Sequence, residues 1–556
     1  MDKLPQELVD KISKYLESNQ LKQTLTMNRK FWVAAERYSG FFNEFSLNEA
    51  NAQKFLHTFS NHRFRYLRCI RFRTAFPDPG TGGNVHIAPP CRESREELQA
   101  LDEQFTGQIR LLFSTLKELE EKYSDQQGPG NIQLIIYTPA MSVEHNSFCF
   151  HRAYVGWRIH LLAPGELPIL RSVRSLRFLD GAPFFPFLEP RVTTRKLDLR
   201  VLLDILSRLP NVRTFSCAIG GDEWPSALRD EATVSLWHTH QGPRRDTRHE
   251  FAAALQEMSV PTLRVILLNF IEPDDHVEAI DQRVAMPNLT TPALHDPFSS
   301  SLRVMSYGLR RMSIFAVVDS TLFLPHDGST PSWPHLETLC VKFHMTTPSE
   351  SWYFNGLQND GRLRGYELQS GSYPSFEQTV EDEEAHENLE YVDWEETTLA
   401  QFRVMPDNEL LGEFLAAFAR STEYMPLLKE AVLWCPLTFY IDDMGGFYEN
   451  YDASELKQDE VGDMAWGIAY TAPSEKAFSE HPGINGARSR QLWWKVGKCR
   501  LVADICDVVR RIGCHQHGED LIEHWDDELY GDGLVDRRIF EQFEWRVFPE
   551  LGSFGY

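Results

Sequence analysis

The sequence predicts an α+α/β chain: a small three-helix unit, then an irregular α/β array whose strands lie side by side in a curved horseshoe. Three observations carry this. The first forty residues hold three short amphipathic stretches separated by cap signals. A corner of the form apolar-Pro-x-apolar then recurs along the chain, each time leading into a short alternating strand. Helical patterns stand between those strands, the order expected of a parallel sheet.

In the first unit, Pro5 fits an opening helical turn, where its missing N–H costs nothing. Leu8, Ile12, Tyr15 and Leu16 recur at the spacing of one helical face. Glu17-Ser18-Asn19-Gln20 breaks the pattern, and Ser18 or Asn19 offers a cap for a second helix carrying Leu21 and Leu25. Phe31, Trp32, Ala35 and Tyr38 mark a third. Helices this short bury little surface and need a neighbour to cover them.

The pattern L-P-x-E-L-x-x-x-I-x-x-Y-L, then L-x-x-x-L and F-W, resembles the F-box across residues 1–40. The residues that carry the likeness are Leu4, Pro5, Glu7, Leu8, Ile12, Leu16, Leu21, Leu25 and Trp32. Thr26-Met27-Asn28-Arg29 stands where a Val-Cys pair usually precedes the arginine, a variation common in fungal versions. The resemblance implies that these nine residues dock on the Skp adaptor of cullin–RING ubiquitin ligases. The alternative is an N-terminal helical hairpin packed on the rest of the chain.

Composition bounds the whole. A chain of 556 residues accommodates two or more cores or one extended array. No apolar run reaches membrane-spanning length and the N-terminus has no apolar leader, so a cytoplasmic or nuclear location is expected. The net charge of −24 argues against nucleic acid or an acidic membrane as the main partner. Nine scattered cysteines without a C-x-x-C read as reduced thiols.

Tyr66–Arg73 alternates apolar and basic residues and reads as a half-buried strand, its arginines on a solvated face. Glu96–Tyr123 has helical periodicity and Ile132–Tyr137 reads as a strand. The corners follow at Leu209-Pro210-Asn211-Val212, Val260-Pro261-Thr262-Leu263, Trp333-Pro334-His335-Leu336 and Met425-Pro426-Leu427-Leu428, with weaker copies at Val173 and Leu302. Proline ends the helix and extends the residue before it. Units of this kind, each covering the next, suggest a leucine-rich-repeat-like array with insertions, helices on one face of one sheet. An α/β sheet of ordinary topology is the alternative.

Trp333–Glu337, Ser351–Phe354, Met425–Leu427, Trp466–Ile468 and Trp493–Gly497 are similar to a C-terminal region of fungal F-box proteins that has no assigned activity. This likeness spans about residues 260–510. The expected division is 1–45 F-box-like helical domain, 46–345 irregular α/β repeat region, 346–405 acidic loop-rich insertion, and 406–556 last repeat and C-terminal cap. Glu377–Glu396 is strongly acidic and reads as a solvated loop, with Tyr391 and Trp394 its only recognition hints. A helix is expected over about Leu492–Arg511 and a capping element over Leu534–Phe548.

The search for chemistry finds no phosphate-binding glycine loop, nucleophile elbow or H-E-x-x-H. Asp526–Gly531 begins like a calcium loop, but Arg537 stands where the bidentate acid belongs. Cys499, Cys506, Cys514, His515, His517 and His524 lack the tight pairing of a structural zinc site. His238, His240 and His249 with Arg244 and Arg245 read as a polar surface loop. No catalytic residues, metal or cofactor are therefore expected. The reading is a non-enzymatic substrate receptor that joins Skp, and through it cullin, to an unknown protein target. Alternatives are a scaffold that binds Skp without promoting ubiquitination, and an enzyme whose site is assembled from distant residues.

Overall fold

At Leu209-Pro210-Asn211-Val212 the chain turns from helix to strand, and the two apolar corner residues are buried while Pro210 is exposed. The Val212 amide donates to the Leu209 carbonyl at 3.1 Å and closes the turn. One main-chain contact repeats at such corners. The amide of Arg213 donates to the Arg174 carbonyl, Arg264 to Arg213, Arg310 to Arg264, Glu337 to Arg310, and Lys429 to Glu337, each at 2.7–2.9 Å. These bonds fix where each strand begins relative to the one before it. The Arg264 guanidinium adds further ties, donating to the carbonyls of Pro261 at 2.8 Å and Gly308 at 3.3 Å.

The computed structural model describes residues 4–76, 92–122, 131–143, 156–181, 191–220, 231–271, 282–356, 365–377, 380, 401–438, 464–479, 487–497, 499–525 and 535–549. Its strands are β1 (Glu44–Leu47), β2 (Cys69–Ala75), β3 (Ile132–Val143), β4 (Val173–Leu179), β5 (Arg191–Thr194), β6 (Thr214–Ala218), β7 (Val265–Asn269) and β8 (Arg311–Ala316). They continue with β9 (Thr338–Phe343), β10 (Phe354–Asn355), β11 (Met405–Pro406), β12 (Glu430–Leu437), β13 (Met464–Thr471), β14 (Arg490–Lys495), β15 (Leu521–Trp525) and β16 (Val535–Asp536). The helices are α1 (Gln6–Lys14), α2 (Ser18–Thr24), α3 (Arg29–Tyr38), α4 (Ala52–Thr58), α5 (Arg95–Lys122) and α6 (Leu199–Leu206). After them come α7 (Glu231–Glu257), α8 (Pro297–Ser306), α9 (Leu410–Ser421), α10 (Ala503–Val509), α11 (Cys514–His517) and α12 (Arg538–Val547).

The chain is mixed α/β with one large, mostly parallel sheet. Its path runs β1-β2-β3-β4-β6-β7-β8-β9-β12-β13-β14-β15. Every neighbouring pair from β1 to β12 on that path is parallel. β13 then runs antiparallel between β12 and β14. The strands expected near Val173, Val212, Leu263, Leu336 and Leu428 are β4, β6, β7, β9 and β12, all in this sheet.

Alternation divides each strand between two faces. One face sends Leu134, Leu176, Phe215, Ile266, Ile314, Leu339, Leu433 and Ile468 into the main core, with the buried stripes of α5, α6, α8 and α9. The other carries Leu267, Cys340, Val432, Trp434 and Trp493, and α12 lies over it through Phe540 and Phe543. The expectation of helices on a single face is thus corrected. The described part of Leu534–Phe548, expected as a capping element, lays its aromatic stripe on the apolar second face of β9, β12 and β14. Gly467 lets α12 approach: a Cβ there would lie 2.6 Å from Trp434 Cβ and 2.8 Å from the Phe540 ring.

Several local expectations also change, among them the weak corner copy at Leu302, which lies within α8. Arg490–Lys495 is a strand and only Ala503–Val509 of the expected helix is helical. All six strand residues are buried, so the run shows no period by which to distinguish it. His238–His249 lies on α7 and not in a surface loop, with Gln241, Arg244, Thr247 and Arg248 fully buried. Arg248 donates to Asp296 at 2.7 Å, and Asp296 in turn caps α8 by accepting from the Ser299 amide at 2.9 Å. A charge this deep is tolerated because it is paired and hydrogen-bonded. The flanks of the expected insertion are core: Trp352, Tyr353, Phe354 and Val404 are buried, and β10 pairs with β11. Nearly all of the acidic block and the calcium-like stretch Asp526–Gly531 lie outside the described residues.

Candidate docking face of the N-terminal helices

The first unit has its own small core of Val9, Phe31 and Ala34, with Leu4 and Tyr38 packed against it. Pro5 precedes α1 in an extended conformation and its carbonyl accepts the amides of Leu8 and Val9 at 3.2 Å. Lys30 Nζ donates to the Leu4 carbonyl at 2.7 Å and holds the entry to α1 against α3. Glu17, not Ser18 or Asn19, is the N-cap of α2, its amide donating to Gln20 Oε1 at 3.1 Å. Asn28 caps α3 by accepting the Phe31 amide at 3.0 Å.

The orientation of α1 runs against its apolar pattern. Its buried residues are Val9 and Ser13. Leu8, Ile12 and Tyr15, at i, i+4 and i+7, are 48%, 44% and 77% exposed. The Ser13 hydroxyl has no hydrogen-bond partner among the described residues. A buried serine beside an exposed isoleucine inverts the usual arrangement, and such inversions mark places where packing has yielded to another demand. Covering each half-exposed aliphatic side chain is worth about 1 kcal/mol.

Of the nine residues expected from the resemblance to dock on an adaptor, Pro5, Glu7, Leu8, Ile12 and Leu25 are exposed, and Leu4, Leu16 and Trp32 are half-buried. Leu21 is buried, so its part is to hold α2 in place. Arg63 ties the unit to the segment after α4: its Nε and Nη2 both reach Glu36 Oε1, at 3.0 and 2.6 Å. Glu36 is buried, which makes this pair a fixed joint. Beyond α2, Met27 adds another exposed apolar side chain close to Leu25.

The zinc candidates do not converge. Cys499 and Cys506 are buried thiols, and burial pushes Cys499 up to about 11. His524 stacks on Trp493 with ring centroids 3.7 Å apart. Among the described residues the gathered ligand set is His160, Asp198 and Glu250, which the sequence did not single out. No helix among the described residues is long and apolar enough to cross a membrane. No protein-family model matches the chain, and no curated protein matches it.

Proposed function

We propose that this chain is the substrate receptor of an Skp–cullin–F-box ubiquitin ligase. The observation that supports it most is the outward stripe Leu8, Ile12 and Tyr15, flanked by exposed Pro5 and Glu7. An apolar ridge on a unit with its own small core suits a partner that completes the unit's covering. Behind it, successive parallel units form a leucine-rich-repeat-like horseshoe that presents a target protein. The receptor supplies no catalytic residue; it raises the effective concentration of target lysines near the conjugating enzyme. Its work is done in the cytoplasm or nucleus.

The test is capture of recombinant Skp adaptor by the full chain and by a variant carrying Pro5→Ala with Glu7→Lys. Both side chains lie outside the unit's core, so the variant keeps the parent's melting temperature and loses most of the adaptor signal. Equal capture by the two proteins defeats the reading. A chain that binds Skp but changes no protein's turnover when cullin is present is the interaction scaffold instead.

A further inference from the structure

Four separate segments meet beside the amino end of α6. Ile159 and Leu197 form a parallel bridge, with the Asp198 amide donating to the Ile159 carbonyl at 2.9 Å. That bridge sets His160 next to Asp198. The Asp198 carboxylate is buried and caps α6 by accepting the Arg200 amide at 2.8 Å. α7 is fixed to the same cap, because Thr247 Oγ1 accepts the Leu199 amide at 2.7 Å. Glu250 follows one turn later on α7. On the remaining side, Asp102 of α5 accepts the His160 amide at 2.8 Å.

The ligand atoms of His160, Asp198 and Glu250 lie within 4.8 Å of one another, Asp198 buried and the other two open to solvent. We propose that these three side chains bind one divalent cation of the zinc class. An imidazole with two carboxylates is a zinc donor set, at about 2.0–2.2 Å from the metal. Two of the three donors stand on helices or helix caps that are pinned by backbone bonds, so little ordering remains to be done on binding. Rotation of the exposed Glu250 side chain closes the remaining distance. Three protein donors leave a fourth position for water.

Charge agrees with the donor set. Burial holds the Asp198 carboxyl above its ordinary value, and the opposing charge of His160 offsets this only in part. Burial, then the Asp198 charge, likewise raises Glu250. Asp102 adds a third carboxyl, raised by its burial. Arg158 is the cation beside Asp198, and Arg200, 3.5 Å from Asp204, also acts on Glu250. A divalent ion relieves the mutual repulsion of Asp198 and Glu250, which the charges of His160, Arg158 and Arg200 offset only in part.

The experiment titrates Zn2+ into the chelator-treated, fully reduced full chain by calorimetry, with Co2+ absorption as a second readout. One tight site is expected. Glu250→Gln should weaken it at least tenfold and His160→Ala at least a hundredfold. His326→Gln, which removes one ring of the stacked His295–His326 pair, should leave it unchanged. Glu250 is exposed, so its variant folds and decides the matter even where His160→Ala does not. Zinc affinity in Glu250→Gln equal to that of the parent, or no saturable binding in the parent, overturns the site.

Discussion

α1 and α12 are both short amphipathic helices, and they end in opposite situations. α12 lays Phe540 on Trp434, ring centroids 5.1 Å apart and planes within 4°. Its polar side chains are placed as well: Glu544 Oε1 accepts from Trp434 Nε1 at 2.9 Å, and Arg546 reaches Glu430 at 2.7 Å. α1 instead turns Val9 and Ser13 inward and presents Leu8 and Ile12 to solvent. Amphipathic pattern therefore tells how a helix divides its side chains, and only the neighbouring surface tells which division is buried. The second face of β9, β12 and β14 is wide and aromatic and takes Phe540 and Phe543 of α12, while Trp545 on the far side stays 53% exposed. α3 offers α1 a small apolar surface of Phe31 and Ala34, with Tyr38 packed beside them.

Three substitutions sharpen this contrast, in order of falling size. Phe540→Ala should destabilise the protein by about 3–5 kcal/mol, because it opens a cavity against Trp434 and Phe478. Urea unfolding measures it, and a loss below about 1 kcal/mol would mean that α12 is a detachable cover. Next in size is a pH effect at Glu430, where burial, ahead of the opposing Arg546 guanidinium, raises the carboxyl above its usual 4.5. The folded state then holds this proton more firmly than the unfolded chain does. The group's contribution is complete below about pH 4.5 and is lost as the pH rises through the raised value. Relative to the parent, Glu430→Gln should gain melting temperature between pH 4 and pH 7; a constant difference across that range contradicts the assignment. Smallest is Ile12→Ser, expected to shift stability by less than about 0.5 kcal/mol while weakening adaptor capture. A large stability loss there would show that Ile12 belongs to the core of its unit.

Four of the parallel strands, β6, β7, β9 and β12, were legible in the sequence because a corner proline announces each of them, as at Val260-Pro261-Thr262-Leu263. The three N-terminal helices were legible from apolar spacing, but neither the cap of α2, which is Glu17, nor the direction in which α1 faces, which depends on α3, could be read there. Only the end of α7, Phe251–Leu255, was legible as a helix; the part before it was hidden by Gly242 and Pro243 and by the chemistry of its inner face. Gln241, Arg244 and Arg248 have helical spacing, yet Arg248 becomes a core residue only through Asp296, far along the chain. His160, Asp198 and Glu250 left no signal at all. They share no motif, and their meeting depends on the Ile159–Leu197 bridge and the Thr247 contact to the α6 cap.

The corner bonds that run from Arg174 through Arg213, Arg264, Arg310 and Glu337 to Lys429 are amide to carbonyl throughout. They ask nothing of the side chain, and arginine, glutamate and lysine occupy them alike. The backbone seam is the same whichever side chain stands there, and ties such as Arg264 to the Gly308 carbonyl are added to it. Units that differ in length and wording can thus still add, edge to edge, to one continuous sheet. What they share is a seam, and a seam leaves almost no spelling behind.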